Sequence, residues 1–591
     1  MKWVKRLGIA FSTLVLIGAV GYSARHDLMR MQSDLPPFTH GAGEKFDVMV
    51  PMEDGVKLYT TVQLPDGEGP FPAVLIRSPY TQISFALRNL LCGRFVRYGY
   101  ACLLQDTRGQ GKSEGGWNPG GNVEIADGRD ALNWLVMQDF QDGNLAMVGS
   151  SYLASVQFSA LAGGAPTELK TIVPSMYTTD NRGAAFQDGL FRHETYTAWA
   201  SMMRGSNSEG LSGAGDDYQK AIRHRPHNTV DTEIFGMAMP WYQSMIAASS
   251  PKDEHWHGKE TAKVRDVPEN ISIPILMIGG WYDVFFGPQF EDWQRLATQS
   301  NSRYIVGPYT HPGGFGDLDM PNAEGGRFQW AEMLPWLEHH LKGKPLATNT
   351  GLKLYVIGDG EWQEHKNWPM PNRIASYNLA NLPASNECEG GELTTRADTN
   401  SGQARFVYDP DNPVPTRGGA GMLAFNIPGF GGADPSNVEQ SGLCERDDVL
   451  TFQTDALTED MLISGKVSVT LDVSSSAPDT AFSAKLIEVF PDGRAYNIRD
   501  SITTLAYRNG ADTPQNYTPG DRLTVTIDFW PIAWRLQPGS RLRLDISSSD
   551  FPKFHAHTNR AGPWEQQDGA DKASQTIYGG RLDLPVEGCC S

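Results

Sequence analysis

A chain of 591 residues with a formal charge of -19 is too long for one hydrophobic core, which argues for several domains. Its 40% hydrophobic, 10% aromatic and 20% charged residues exclude a disordered polymer. The acidic balance excludes a nucleic-acid partner, because phosphate binding needs a basic surface, and makes an anionic membrane surface a poor partner.

The chain begins MKWVKRLGIAFSTLVLIGAVGYSARHD, in which Lys2, Lys5 and Arg6 precede an uncharged, mostly apolar run from Leu7 to about Gly21. That is the layout of an export signal, with Ala19-Val20-Gly21 offering small residues for cleavage. The run is shorter than the ~20 residues a spanning helix wants. Residues 1–24 are therefore expected to be a removed signal peptide, and the protein periplasmic or extracellular. An uncleaved N-terminal anchor is the alternative, and the only membrane link expected. Residues 25–44, mixed and proline-bearing, read as a linker.

From Lys45 the stretch KFDVMVPMEDGVKLYTTVQLP alternates around Asp54-Gly55, a hairpin signal. Short apolar runs follow: PAVLIRSPY, YACLLQDTRG, LAMVGSS, KTIVPSM, IPILMIGGWYD and RYIVGPYTH. Buried runs alternating with helices predict a mostly parallel sheet covered on both faces. EIADGRDALNWLVMQDF places Ile125, Ala131, Leu132, Leu135 and Val136 near one helical face, and AEMLPWLEHHLKGK, from Ala331, is the expected last covering helix. Residues 45–180 and 268–350 thus make one α/β domain.

Between them the strand rhythm disappears, so residues 181–267 are expected to be a mostly helical insertion. Most of its Trp199, Met202, Met203, Met237, Met239, Trp241, Tyr242, Met245 and Trp256 read as core. Its carboxylates Asp188, Glu194, Asp216, Asp217, Asp231 and Glu233 read as solvated surface. Residues 351–588 carry many short β-like runs with Pro-Asp-Gly and Pro-Gly-Ser turns, as in a sandwich or jelly roll. The six cysteines, Cys92, Cys102, Cys388, Cys444, Cys589 and Cys590, include no C-x-x-C pair, so a zinc or redox motif has no support. An even count suits disulfides in an oxidising compartment, with the pairing open and buried free thiols as the other reading of Cys92 and Cys102.

In LAMVGSSYLA an apolar run stops at Gly149 and a helix-compatible stretch follows Ser151. A serine nucleophile held on a tight strand-to-helix turn needs a small residue two positions earlier. Ser151 has Gly149 there, whereas Ser150 has Val148, so Ser151 is the candidate. A serine hydroxyl needs a base oriented by an acid, and two later apolar runs end at Asp283 and His311. The order Ser, Asp, His after three such runs is hard to obtain by accident. The histidines at 193, 224, 227, 255, 257, 339, 340, 555 and 557 are poorer candidates by placement. For an oxyanion, the Tyr152 N–H supplies one donor and the Tyr80 hydroxyl, in RSPYTQ, is the candidate second. A packed surface aromatic is the other reading of Tyr80.

Gly149-Ser150-Ser151-Tyr152-Leu153-Ala154 resembles the G-x-S-Y-x-G of the CocE/NonD hydrolases, with Ala154 replacing the last glycine. Asp106-Thr107-Arg108-Gly109-Gln110-Gly111-Lys112-Ser113-Glu114-Gly115 is similar to that family's D-x-R-G-x-G-x-S-x-G loop. Gly279 to Asp283, Gly307 to His311 and Arg77 to Tyr80 resemble the segments bearing its acid, base and oxyanion tyrosine. Tyr408-Asp409-Pro410, Ser474 to Thr480 and Ser547 to Phe551 resemble its C-terminal domain.

The resemblance implies an α/β-hydrolase core, an inserted helical cap and a C-terminal β jelly roll of the galactose-binding-like kind. It implies a serine hydrolase with no metal or organic cofactor, acting on a small-molecule ester or amide. Aromatics rather than acids follow Asp283, in WYDVFFGPQF. An esterase or amidase with an apolar acyl or aryl pocket is therefore expected over an X-prolyl dipeptidyl aminopeptidase or α-amino-acid ester hydrolase, which must grip an α-ammonium. A catalytically silent binding protein on the same fold is the non-enzymatic alternative.

Overall fold

The computed structural model describes residues 35–587 apart from 82–86, 205–212, 324–325, 327–328, 370–372, 383–387, 389, 397–401, 423–429 and 431–434. The expected signal peptide, residues 25–34 of the linker, Cys589 and Cys590 lie outside the described residues.

The hairpin read around Asp54-Gly55 pairs β1 (Ala42–Pro51) with β2 (Lys57–Pro65), and Gly55 takes the left-handed φ of 87° that the turn needs. β3 (Phe71–Ser78), β4 (Ala101–Asp106), α1 (Asn122–Val136), β5 (Gln141–Ser150), α2 (Tyr152–Ala162) and β6 (Leu169–Ser175) follow. The insertion then carries a short hairpin, β7 (Phe186–Gln187) with β8 (Leu190–Phe191), and a set of helices. Among the helices are α3 (His193–Met203), α4 (Ala214–Ala221) and α5 (Pro240–Ala247). The sheet resumes with β9 (Leu276–Tyr282), α6 (Phe286–Arg295), β10 (Arg303–Thr310), α7 (Trp330–Lys342), β11 (Gly351–Val356) and β12 (Glu361–His365).

These strands form one ten-stranded sheet in the order β1-β2-β4-β3-β5-β6-β9-β10-β11-β12. It is parallel from β4 to β11 and antiparallel at both edges. The two-residue period of a strand sends alternate side chains to opposite faces. Leu75, Leu103 and Met147 pack in one cluster with Leu132 and Leu135 of α1 and Phe158 of α2. Val74, Ile76, Leu104 and Val148 pack in another with Trp336 and Leu337 of α7. Burial on both faces explains why these strands read as unbroken apolar runs, and each such side chain contributes about 1.5–3 kcal/mol when buried.

β11 pairs with β10 and β12 with β11, so the first sheet runs past residue 351 to His365. The all-β domain follows as a twelve-stranded sheet beginning at the strand Arg373–Ala380. Its spine is the 14-residue strand Ala573–Val586, which pairs with Arg373–Ala380, Ala404–Tyr408, Met461–Gly465 and Ser468–Ser475. This domain grips the first sheet beside the site: the Tyr282 hydroxyl donates to the Ile498 carbonyl at 3.0 Å, and Arg499 donates to the Trp281 carbonyl.

Among the described residues two disulfides form, Cys92–Cys102 and Cys388–Cys444. The free-thiol reading of Cys92 and Cys102 is overturned, because the turn into β4 brings their Cα atoms within 5.3 Å.

Candidate active site

The parallel strands deliver five side chains to one edge. Tyr80 follows β3, Ser151 follows β5, Tyr177 follows β6, Asp283 follows β9 and His311 follows β10. All lie beyond carboxyl ends of parallel strands, where doubly covered sheets build their ligand sites.

Ser151 sits on a sharp turn between β5 and α2 with φ 62° and ψ -129°, a backbone region that costs a non-glycine residue ~1–3 kcal/mol. The turn closes because Gly149 has no side chain: a Cβ there would lie 2.4 Å from Leu153 Cβ and 2.7 Å from the Leu153 carbonyl oxygen. The Ser151 N–H is tied to the Ser175 carbonyl at 2.9 Å. The Tyr152 N–H, at the first position of α2, has no intrahelical acceptor and is directed out of the helix N-terminus.

His311 and Asp283 meet directly. His311 Nδ1 lies 2.6 Å from Asp283 Oδ2, and Asp283 is fully buried. The other carboxylate oxygen accepts the Phe285 N–H at 2.8 Å, so the carboxylate is held at both ends. An ionised carboxylate only accepts, which selects the Nδ1–H tautomer and leaves Nε2 as the free base.

Ser151, Tyr152 and Tyr80 line a cavity of about 380 Å³. Phe285 lines it too, and its ring lies 5.4 Å from the His311 ring. The Tyr80 ring packs edge-on against that of Tyr152 at 6.5 Å. Trp199, Trp241, Trp256 and Met245 of the insertion line the cavity, so these four serve the site as well as the core. Met203, Met239 and Tyr242 are core. Met237 is exposed. His255, which sequence placement disfavoured, also lines the cavity.

No aspartate or glutamate is among the described residues that line the cavity. The solvated-surface reading of the insertion's carboxylates fails at Glu194 and Asp231, and Asp188 is half-buried with its pKa pushed up by desolvation. Glu194 is fully buried and accepts the Met422 N–H at 2.9 Å, while Asp231 is 3% exposed and accepts the Met239 N–H at 2.8 Å. Both satisfy buried backbone donors, which is why the interior tolerates them.

Sequence reasoning missed Tyr177, whose hydroxyl donates to Asn181 Oδ1 at 2.8 Å and whose pKa burial pushes up to about 12. Its place after the β6 run was the available signal. It also missed Glu124, which accepts the Tyr152 hydroxyl at 2.7 Å. The loop from Asp106 proves structural: Arg108 is bound to Asp127 at 2.6 and 3.0 Å and pairs with Asp54 at 2.8 Å. Among the described residues, no group of three or more His, Cys, Asp or Glu side chains is placed to hold a metal ion.

Residues 54–313 match the model of the X-Pro dipeptidyl-peptidase (S15) family, and residues 346–581 match that of the X-Pro dipeptidyl-peptidase C-terminal non-catalytic domain. The chain is 32% identical over 549 residues to the cocaine esterase of Rhodococcus sp., covering 87% of this chain and 92% of that protein. Its fold is similar to that of an aminopeptidase from a marine-sediment Thaumarchaeota archaeon, with a TM-score of 0.78 at 22% identity over 94% of this chain and 98% of that one. An α-amino acid ester hydrolase superposes with a TM-score of 0.76 at 24% identity, over 93% and 97% of the two chains.

Proposed function

The chain belongs to the CocE/NonD serine hydrolases of the S15 family and is an ester hydrolase, and from that premise we propose that it is exported and cleaves small esters with an apolar or aryl acyl group. The reading rests most on one observation: a cavity walled by Trp199, Trp241, Trp256, Met245 and Phe285 in which no carboxylate is among the described lining residues. An α-ammonium substrate would enter that cavity without a counter-charge, and an unpaired charge in a partly dry site is costly. An aryl or alkyl acyl group loses nothing there and gains its burial.

The proposed chemistry is acyl transfer. His311 Nε2 removes the Ser151 hydroxyl proton as Oγ attacks the ester carbonyl carbon. The carbonyl oxygen becomes an oxyanion held by the Tyr80 hydroxyl and the Tyr152 N–H. Collapse expels the alkoxide, which takes the proton from His311 and leaves an acyl-Ser151 ester. Water, deprotonated by His311, attacks that ester; the acyl–Oγ bond breaks, Ser151 Oγ takes the proton back from His311, and the acid leaves. Asp283 keeps the imidazole in its tautomer and stabilises the imidazolium in both half-reactions.

Export is supported by the charged-then-apolar N-terminus and by the two disulfides, which persist in oxidising compartments. The mass of the purified mature protein tests it.

Purified enzyme should hydrolyse p-nitrophenyl butyrate and benzoate and leave alanyl-prolyl p-nitroanilide intact, with or without an N-blocking group. Ser151→Ala should abolish turnover, with the fold intact, and prevent labelling by a fluorophosphonate probe. Full activity of that variant would overturn the nucleophile, and fast cleavage of the unblocked anilide alone would overturn the substrate class. A protein that never labels would be the silent binding scaffold.

A further inference from the structure

A buried ion pair lies behind the site. The Tyr152 hydroxyl donates to Glu124 Oε1 at 2.7 Å, and Glu124 Oε2 lies 3.2 Å from Arg77 Nη1. The side chains of Arg77 and Glu124 are 0% and 3% exposed. Arg77 Nε donates to Gln105 Oε1 at 2.9 Å. The other nearby carboxylate, Asp127, is taken at both oxygens by Arg108 and stands 4.0 Å from Arg77. Glu124 is thus the nearer of the two carboxylates that face Arg77, and burial pushes its pKa up.

The three residues come from three elements that meet at the nucleophile. Arg77 is in β3, three residues before Tyr80; Glu124 is in the first turn of α1; Tyr152 opens α2 directly after Ser151. The Tyr152 ring is a hub, with Tyr80 against it at 6.5 Å, Trp117 at 6.2 Å and Trp199 at 6.1 Å.

We propose that Glu124 and Arg77 are positioning residues that hold the two oxyanion donors in register. Through the Tyr152 hydroxyl they fix the ring on which Tyr80 packs and the residue whose N–H completes the pair. The inference rests on the oxyanion assignment made above. A stability role alone explains the arrangement less well, because a buried ion pair adds little net stability over apolar residues of the same size. Oxyanion stabilisation, by contrast, depends steeply on where its donors stand. Burial and the adjoining carboxylate push the Tyr152 phenol well above its usual range, so it remains a donor throughout the working pH range.

Tyr152→Phe removes the hydroxyl and keeps the backbone N–H. It should lower kcat about tenfold with KM within about twofold. It should weaken inhibition by phenyl trifluoromethyl ketone, which adds Ser151 Oγ to its carbonyl carbon and presents an oxyanion, by about the same tenfold. Benzoate, a ground-state ligand, should bind as before. Glu124→Gln should act in the same direction, and the double variant should lose little beyond either single one, because both break one chain of contacts. If Glu124→Gln fails to fold, Tyr152→Phe decides, since it leaves the Arg77–Glu124 pair intact. Unchanged kcat and ketone affinity in Tyr152→Phe would overturn the proposal, and so would equal losses for ketone and benzoate. If Tyr80→Phe and Ser151→Ala keep full turnover, the underlying oxyanion and nucleophile assignments fall. If both lose activity while Tyr152→Phe does not, only the positioning role falls.

Discussion

Asp283 Oδ2 and His311 Nδ1 stand 2.6 Å apart, the carboxylate fully buried and the imidazole nearly so. Asp283→Asn keeps the shape but offers an amide that can donate to Nδ1, which moves the ring proton to Nε2 and removes the base. The kcat for p-nitrophenyl butyrate should fall by ~10³–10⁴ while the melting temperature changes little. A loss below tenfold would remove Asp283 from the reaction.

The strained turn at Ser151 sets apart two variants that should both be inactive. Glycine adopts φ 62°, ψ -129° at far less cost than alanine, so Ser151→Gly should be about 1 kcal/mol more stable than Ser151→Ala by urea unfolding. Gly149→Ala should go the other way and lose both stability and activity, since its methyl would drive into Leu153.

Acid should loosen the junction between the insertion and the C-terminal domain. His193 and His227 have ring centroids 4.6 Å apart, and Trp564 stacks on His227 at 5.1 Å and on His555 at 4.3 Å. Burial, then neighbouring imidazoles, pushes all three histidines well below their usual 6.5. Arg225 adds to this at His555. Unfolded, these rings bind protons that the folded state refuses, so their contribution is complete above about pH 6.5 and is lost as pH falls. Asp292 has the opposite sign: burial raises it from 3.8 to about 6, so its contribution is complete below 3.8 and is lost as pH rises through about 6. Each of the three rings should therefore lower the melting temperature as pH falls from 7 to 5. His555→Asn, which can still accept the Phe191 N–H that now binds Nδ1 at 3.0 Å, should make that drop shallower. An unchanged slope would show the ring is not the sensor.

Loss of each disulfide should destabilise according to the loop it closes. With sequence separations of 10 and 56, chain entropy gives about 3 kcal/mol for Cys92–Cys102 and about 4 kcal/mol for Cys388–Cys444. Paired Cys→Ser variants, followed by urea unfolding of each domain, check both values.

Much of this was legible because the signals were local. Unbroken apolar runs gave the central strands, Asp54-Gly55 gave the first hairpin, and strand-end positions singled out Tyr80, Ser151, Asp283 and His311. What escaped was non-local. GLKLYVIG reads the same whether it extends one sheet or opens another, so its pairing with β10 was not visible. Arg77 and Glu124 are separated by two short helical segments, a strand and a loop, and only their shared burial makes them a pair. Glu194 and Asp231 look like surface charges until the backbone amides that need them are in view.

The strand Ala573–Val586 binds four others, all encoded before it. As the chain enters its folding compartment N-terminus first, those four must wait with open edges until their common neighbour arrives. The first sheet is complete at His365, so it can form before the rest has emerged. Assembly of this protein is therefore two-staged by its connectivity, and its interval of greatest exposure to aggregation and proteolysis falls between the emergence of residues 373 and 586.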